Sequence, residues 1–297
     1  MIPQFLQEKL NIQYGEELTN KILEGYTKNR KVTLRVNTLK SNVEEIKKIL
    51  HNNNIEYKTV NWSKEALIIE NVRETELTKL DIYIEGKIYL QSLSSMLPPI
   101  ILEPKENTDI LDMTAAPGGK TTQIAAMVNN KARITACEMN NIRAEKLRYN
   151  IEKQGATCAY VMVTDSRKID DFFSFDQILL DAPCSGSGTL DANNTKTEKI
   201  FTPKLIEKSV KAQITLLTKA LKILKPGKEI VYSTCSILKE ENEEIIKQVL
   251  KKSNVKIKPI TDTILQELPQ LPTSIEGTLC VCPTEEYEGF FVAKMSY

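Results

Sequence analysis

Three observations predict an α/β fold: a doubly wound, mostly parallel sheet preceded by a smaller N-terminal α+β module. From residue 109 onward, short β-rich segments alternate with helical ones, the pattern left by parallel strands joined through crossover helices. Before residue 90 the order is instead strand, helix, strand, strand, which suits a small α+β unit. The chain has 297 residues, 41% of them hydrophobic, enough to bury one large core and a second smaller one.

In residues 1–30, Leu6, Leu10, Leu18, Ile22 and Leu23 recur at roughly helical spacing, so the chain opens on a helix. Residues 31–37 alternate and are β-branched, residues 43–50 are helix-like, and residues 57–60 and 66–69 are short strands. Polar residues 71–76 and a turn at Gly86 lead to Tyr89-Leu90-Gln91-Ser92 and the pair Pro98-Pro99. The domain boundary falls near residue 90, giving a helical segment 1–30, a module 31–90 and a large domain 91–297. In the large domain, strands are predicted at 109–113, 133–138, 159–163, 177–181, 229–234 and 289–293. Helices at 120–127, 143–154, 202–224 and 239–252 separate them. No repeat, low-complexity block or Gly/Ser linker interrupts this order.

The formal net charge is +1, so no global positive field marks a nucleic-acid binder and any RNA contact must come from a local patch. The apolar runs are too short to span a bilayer and no charged-then-apolar leader opens the chain. A soluble, cytoplasmic protein without a membrane partner is expected. The six cysteines, Cys137, Cys158, Cys184, Cys235, Cys280 and Cys282, are never spaced C-x-x-C, which speaks against a structural zinc site or any other metal. Their default is reduced, buried filler. The single histidine, His51, lies in a polar stretch at a helix end, where a solvated side chain is expected.

In an open α/β sheet, ligands sit beyond the carboxyl ends of the strands. After the first large-domain strand comes Thr114-Ala115-Ala116-Pro117-Gly118-Gly119-Lys120-Thr121, a tight glycine turn feeding a helix whose free amides can face a carboxylate. After the second comes Glu138, about twenty residues past the glycines, where an acid accepts hydrogen bonds from a ribose diol. After the third comes Asp165. Any one of these alone suits a plain β-α turn; in register on three strands they outline a nucleoside-shaped site. Gly119-Lys120-Thr121 also mimics the end of a P-loop, but the first glycine of that pattern is replaced by Thr114, and Pro117 removes an amide that a phosphate cradle needs.

The fourth strand ends in Asp181-Ala182-Pro183-Cys184-Ser185-Gly186 and the fifth in Tyr232-Ser233-Thr234-Cys235-Ser236. Neighbouring strands lie about 5 Å apart, so if these two are adjacent both thiols reach the same rim. That placement lifts them above filler, because a thiolate at a strand end beside helix N-termini and a lysine is a reactive nucleophile. A Cys-His hydrolase needs an imidazole base, and His51 lies in the other module.

These residues resemble the Nop/Sun-type RNA cytosine-5 methyltransferases. The resemblance runs from Arg35-Val36-Asn37-Thr38-Leu39-Lys40, through Gly86, Gln91 and Pro99, to the A-A-P-G-G-K-T turn at 115–121. It continues through D-A-P-C-S-G at 181–186, K-P-G at 225–227, Y-S-T-C-S at 232–236, E-E-N-E at 240–243 and Gly289-Phe290-Phe291-Val292-Ala293-Lys294. Several such motifs in one order are far more specific than any alone.

The resemblance implies a Rossmann-like methyltransferase sheet and an RNA-recognition-motif-like (RRM-like) N-terminal domain. It implies S-adenosylmethionine as cofactor, held by Thr114, Ala115, Ala116, Pro117, Gly118, Gly119, Lys120, Glu138, Asp165 and Asp181 with Arg143 as a neighbour. It implies a ribosomal or transfer RNA as substrate. Carbon 5 of cytosine is too poor a nucleophile to take a methyl group unaided, so a thiolate first adds to carbon 6. The resemblance makes Cys235 the attacker, Cys184 the residue that helps release the product, and Asp181 and Lys120 the groups that reach the base. The target nucleotide must be unpaired or flipped. In the N-terminal module Lys28, Arg30, Lys31 and Arg35 are candidate phosphate contacts, a solvated charged face being the other reading.

The chain departs from the family pattern at Thr114, where cysteine is frequent, and at Lys228, where glycine is common. Leu190-Asp191-Ala192-Asn193-Asn194 also stands where many members carry arginines. No extra C-terminal RNA-binding domain is expected, and nothing points to an obligate dimer, so a monomer is expected. Two other readings stay open: a P-loop nucleotide-binding enzyme, and a catalytically silent RNA-binding protein on a methyltransferase scaffold, against which the retention of both cysteines argues.

Overall fold

In the computed structural model, residues 2–194 and 197–297 are described. The chain forms two compact units, one of residues 31–179 and one of residues 1–30 with 180–297.

In the 31–179 unit, β1 (Val32–Val36), β2 (Tyr57–Val60), β3 (Ser63–Ile69) and β4 (Ile88–Leu90) form an antiparallel sheet of order β2-β3-β1-β4. Helix α2 (Val43–Asn52) is capped by Asn42, whose side chain accepts the Glu45 N–H at 2.9 Å, satisfying one of the open amides of its first turn. Leu34, Val36, Ile46, Leu50, Leu67, Ile69 and Ile88 form one apolar core. His51 is exposed in the last turn of α2. Two short helices, α3 (Glu74–Leu77) and α4 (Asp81–Ile84), lead to β4.

The other face of β1 is buried too, and it corrects an expectation. Arg35 is 3% exposed. Its Nε donates to Gln91 Oε1 at 3.0 Å, its Nη2 to Thr122 Oγ1 at 3.1 Å and to Gly119 O at 3.3 Å, and it lies 5.7 Å from the Tyr89 ring centroid. A guanidinium so enclosed makes no phosphate contact. The strand alternation that buries Leu34 and Val36 on one face places Arg35 on the other, where the chain also packs.

Helix α5 (Leu93–Leu102) contains Pro98 and Pro99, where the sequence reading placed no helix. Pro99 has no N–H for the carbonyl of Ser95. Gln91 Nε2 donates to that carbonyl instead, at 3.1 Å, and eight of the ten helix residues are buried, so packing outweighs the two prolines. The remaining strands of this unit, β5 (Asp109–Asp112), β6 (Arg133–Glu138), β7 (Ala159–Val163) and the first part of β8 (Phe175–Asp181), run parallel in the order β8-β5-β6-β7. Between them lie α6 (Gly119–Met127) and α7 (Asn141–Gln154). This is the parallel, Rossmann-like arrangement the alternation predicts.

Strand β8 passes into the other unit at Leu180. There α1 (Gln4–Thr27), broken at Gly15 by a φ of 77°, donates through Tyr14 Oη to Ile237 O at 2.5 Å and through Tyr26 Oη to Ser187 O. The opening helix therefore packs beside the Ser187 and Ile237 turns of its own unit. After α8 (Thr197–Ile200), α9 (Pro203–Ile223) starts on Thr202, whose hydroxyl accepts the Leu205 N–H at 3.3 Å. Strand β9 (Leu224–Thr234) pairs antiparallel with β12 (Phe290–Ser296). β10 (Lys256–Ile257) and β11 (Leu279–Val281) also pair with β12.

Helix α10 (Glu243–Leu250) begins four residues later than the periodicity predicts. Residues 239–242 are turns instead. Among the described residues no helix is long and apolar enough to cross a membrane, and no cluster of His, Cys, Asp and Glu is arranged to hold a metal.

Candidate active site

In the 31–179 unit the carboxyl ends of β5, β6 and β7 carry the residues singled out in the sequence. Asp112, buried at the end of β5, accepts the Thr121 hydroxyl at 2.7 Å and the Thr114 N–H at 3.4 Å. It pins the turn from both ends. Within the turn, the Ala115 N–H donates to Cys137 O at 2.9 Å, and Ala115 and Ala116 pack against Ala136 and Leu147. Pro117 is exposed, and its carbonyl accepts Asn150 Nδ2 at 2.7 Å.

Gly118, at φ 113°, caps α6. At that φ a side chain would strain the backbone, and a Cβ would come within 3.1 Å of Leu147 Cδ1, which would have to shift, so glycine suits the turn. Half-buried Gly119 and Lys120 open the helix, whose positive dipole end favours an anion. Lys120 Nζ donates to Ser95 Oγ at 2.8 Å.

Glu138, at the end of β6, is 5% exposed. Its Oε1 accepts the Asn140 N–H at 2.8 Å, and Oε2 lies 3.5 Å from Arg143 Nε. Arg143 also donates to Ala116 O at 3.0 Å, joining the glycine turn to the β6 end. Asp165 follows β7. Its carboxylate takes both Nε and Nη2 of Arg167, with a shortest contact of 2.7 Å, and that guanidinium holds the carboxyl below the usual carboxylate range. Ser166 donates to Met113 O, tying the third strand end to the first.

In the other unit, the turns after β8 and β9 bring Cys184 and Cys235 together, with sulfurs 3.1 Å apart and no disulfide between them. Both are half-buried, whereas Cys137, Cys158, Cys280 and Cys282 are buried. The hydrogen bond with Cys235, together with burial, pushes the Cys184 thiol well above its ordinary value. Asp181 accepts the Ser233 hydroxyl at 2.7 Å.

Behind the thiols the backbones of Gly188 and Gly289 touch. Gly188 N–H donates to Cys235 O at 2.9 Å, and Gly289 N–H to Gly188 O at 2.8 Å. A Cβ on Gly188 would stand 2.0 Å from Gly289 O, so no side chain fits.

Sequence reasoning passed over Asp112, Ser233 and Glu241. Asp112 carried a signal, an acid at the strand end just before the glycine turn. Ser233 and Glu241 have roles that only the folded contacts define. Of the candidate phosphate contacts of the N-terminal region, Lys28 pairs with Glu24 at 2.8 Å, Lys31 pairs with Glu70 at 3.2 Å, and Arg30 donates to the carbonyls of Thr284 and Tyr287. Thr195 and Lys196, in the 189–202 loop that departs from the family pattern, lie outside the described residues.

A family model described as 16S rRNA methyltransferase RsmB/F matches residues 99–296, and one described as an RsmF/B-like ferredoxin-like domain matches residues 2–76. The chain is 34% identical over 273 residues to the tRNA (cytosine(49)-C(5))-methyltransferase of Pyrococcus abyssi, covering 89% of this chain and 87% of that protein. It is 33% identical over 270 residues to the ribosomal RNA small subunit methyltransferase F of Shewanella sp. (strain ANA-3), covering 89% of this chain but 56% of that protein. The chain thus spans only about half the length of the Shewanella relative. The crystal structure of NSun6 from Pyrococcus horikoshii with SFG superposes with a TM-score of 0.86 at 25% identity, covering 99% of this chain and 98% of that one.

Proposed function

Because the chain belongs to the 16S rRNA methyltransferase RsmB/F family, we propose that it is an RNA cytosine-5 methyltransferase that uses S-adenosylmethionine and attacks its target base with Cys235. Its relatives are named for ribosomal and for transfer RNA, and the proposed substrate is an unpaired or flipped cytosine in an RNA of one of these classes. The proposed organisation is a helical segment 1–30, an RRM-like module 31–90 and a methyltransferase domain 91–297.

The residues at the β5, β6 and β7 ends fit the cofactor by their donor set. The glycine turn, Thr114 to Lys120, feeds the α6 N-terminus, whose positive dipole end suits a carboxylate, while Glu138 and Asp165 offer acceptors to a nucleoside and Arg143 fixes Glu138. When bound, S-adenosylmethionine supplies an electrophilic methyl group on a sulfonium. Everything else falls to the protein. The Cys235 thiolate adds to C6 of the base, breaking the C5–C6 double bond and pushing its electron pair toward C5. Asp181 hydrogen-bonds the ring edge and favours the charge that builds up there. Once C5 carries the methyl group, loss of the C5 proton to a base restores the double bond and expels Cys235.

The observation that carries this reading is the 3.1 Å contact between the Cys184 and Cys235 sulfurs. A thiol hydrogen-bonded to the attacking sulfur stabilises it as a thiolate, both before addition and as it leaves. Cys184 is therefore assigned to product release.

The test is methyl transfer from tritiated S-adenosylmethionine to unmodified cellular RNA. Cys235→Ala should abolish transfer, and Cys184→Ala should accumulate a covalent protein-RNA adduct. Equal activity in wild type and both variants would remove the mechanism.

A further inference from the structure

Glu241 is fully buried, yet its carboxylate accepts three hydrogen bonds from the residues that follow the two half-buried thiols. Ser185, next after Cys184, gives its N–H to Oε1 at 2.7 Å and its hydroxyl to Oε2 at 2.5 Å. Ser236, next after Cys235, gives its hydroxyl to the same Oε2 at 2.6 Å. One side chain thus ties together two turns whose cysteines are 51 residues apart in sequence.

Glu241 is itself anchored. Tyr232 Oη donates to its carbonyl at 2.7 Å, and its neighbour Asn242 accepts the Thr234 hydroxyl at 2.6 Å while donating to Ser236 O at 2.8 Å. Burying a carboxylate carries a desolvation penalty that an apolar side chain would avoid. Short hydrogen bonds to an ionised acceptor are strong and directional, which suits a part that fixes geometry.

We propose that Glu241 is a positioning residue that sets the spacing of the Cys184 and Cys235 sulfurs, and with it the hydrogen bond through which one thiol controls the other. The inference rests on reading these thiols as the reacting pair. Charge acts in the same direction as geometry: after the Cys235 hydrogen bond, burial and the Cys235 charge, the Glu241 carboxylate adds to the upward push on the Cys184 thiol.

The spacing is read without any methyl transfer by cross-linking the two sulfurs with diamide. Each thiol gives up a proton and an electron, an S–S bond forms, and the azo group is reduced to the hydrazine. The linked peptides containing Cys184 and Cys235 are followed by mass spectrometry.

Glu241→Ala should slow cross-linking about ten-fold, because three donors lose their common acceptor and the turns separate. Glu241→Gln should stay near wild type, since its amide oxygen still accepts the Ser185 N–H while its NH2 faces the two hydroxyls, which can rotate to accept. With the same proteins, kcat for methyl transfer should fall about thirty-fold in Glu241→Ala with KM for S-adenosylmethionine unchanged, and recover to within about three-fold in Glu241→Gln.

Cross-linking of Glu241→Ala at the wild-type rate would overturn the proposal, as would a Glu241→Gln protein as slow as Glu241→Ala. Should Glu241→Ala not fold, Ser185→Ala decides: it removes one hydroxyl from a partly exposed turn and should slow cross-linking about three-fold, an unchanged rate counting against the idea. Wild-type protein that cross-links fast but transfers no methyl group would defeat the methyltransferase reading while leaving the role of Glu241 measurable.

Discussion

Ser233 holds Asp181 from two sides: its hydroxyl donates to the carboxylate at 2.7 Å, and its carbonyl accepts the N–H of Ala182, the next residue, at 2.8 Å. The end of β8 is thereby locked to β9 with the carboxylate in one orientation. Hydrogen bonds to charged groups contribute about 1.5–3 kcal/mol when sheltered and less when half-exposed. Ser233→Ala should therefore lower kcat about ten-fold while leaving the thermal midpoint nearly unchanged. A Ser233→Ala enzyme with wild-type kcat, beside an inactive Asp181→Ala, would show that orientation of the carboxylate does not matter.

Asp112 and Thr121 make a second such pair, buried on both sides. Thr121→Val keeps the shape and removes the 2.7 Å donor to a carboxylate that is 1% exposed. The expected loss is about 1–3 kcal/mol of stability, read as a lower urea midpoint with an unchanged slope. Because Asp112 also receives the Thr114 N–H, the glycine turn should loosen and S-adenosylmethionine should bind more weakly by calorimetry. An unchanged midpoint and affinity together would dismiss the pin.

The buried cysteines set a pH dependence. Burial pushes the Cys137 thiol up to about 12 and the Cys282 thiol up to about 11, and Cys158 and Cys280 are raised the same way. An unfolded thiol ionises near about 8.5, so the folded state binds more protons above that pH. These groups contribute stability that is fully present below about pH 8.5 and is lost progressively as the pH climbs toward 11–12. Urea denaturation under reducing conditions should show stability falling from about pH 8.5 upward, and falling less steeply in Cys137→Ala. A flat profile to pH 11 would contradict the assignment of buried, protonated thiols.

Local patterns carried much of the fold. The alternation at 133–138 and 159–163 reappears as β6 and β7, and the helical spacing at 143–154 falls within α7, because period and propensity act within a few residues. What the sequence hid depends on contacts between distant residues. Pro98 and Pro99 argue against a helix until Gln91 is seen supplying the hydrogen bond that Pro99 lacks. Glu241 looks like one acid in an acidic run, since its partners Ser185 and Ser236 identify it only after folding. The glycine turn and the two thiols were legible because glycine, proline and cysteine carry their chemistry locally; Ser233 was not, because a serine in a strand has many uses.

Arg35 separates a structural cation from an RNA-binding one. A basic residue beside Lys31 in the N-terminal module reads naturally as a phosphate contact, but its guanidinium is enclosed by Gln91, Thr122 and Gly119. Burial lowers its pKa to about 10, the mark of a charge kept from water at a cost that its hydrogen bonds offset. Arg35→Ala would strand the Gln91 acceptor and leave a void, so about 2–3 kcal/mol of stability should be lost. Were Arg35 instead neutralising a phosphate, the slope of log K against log salt would fall by about one when it is removed. Arg35→Ala, measured under conditions where it remains folded, should bind RNA with the wild-type salt slope while its urea midpoint drops. A reduced slope at unchanged stability would return this residue to the nucleic-acid interface.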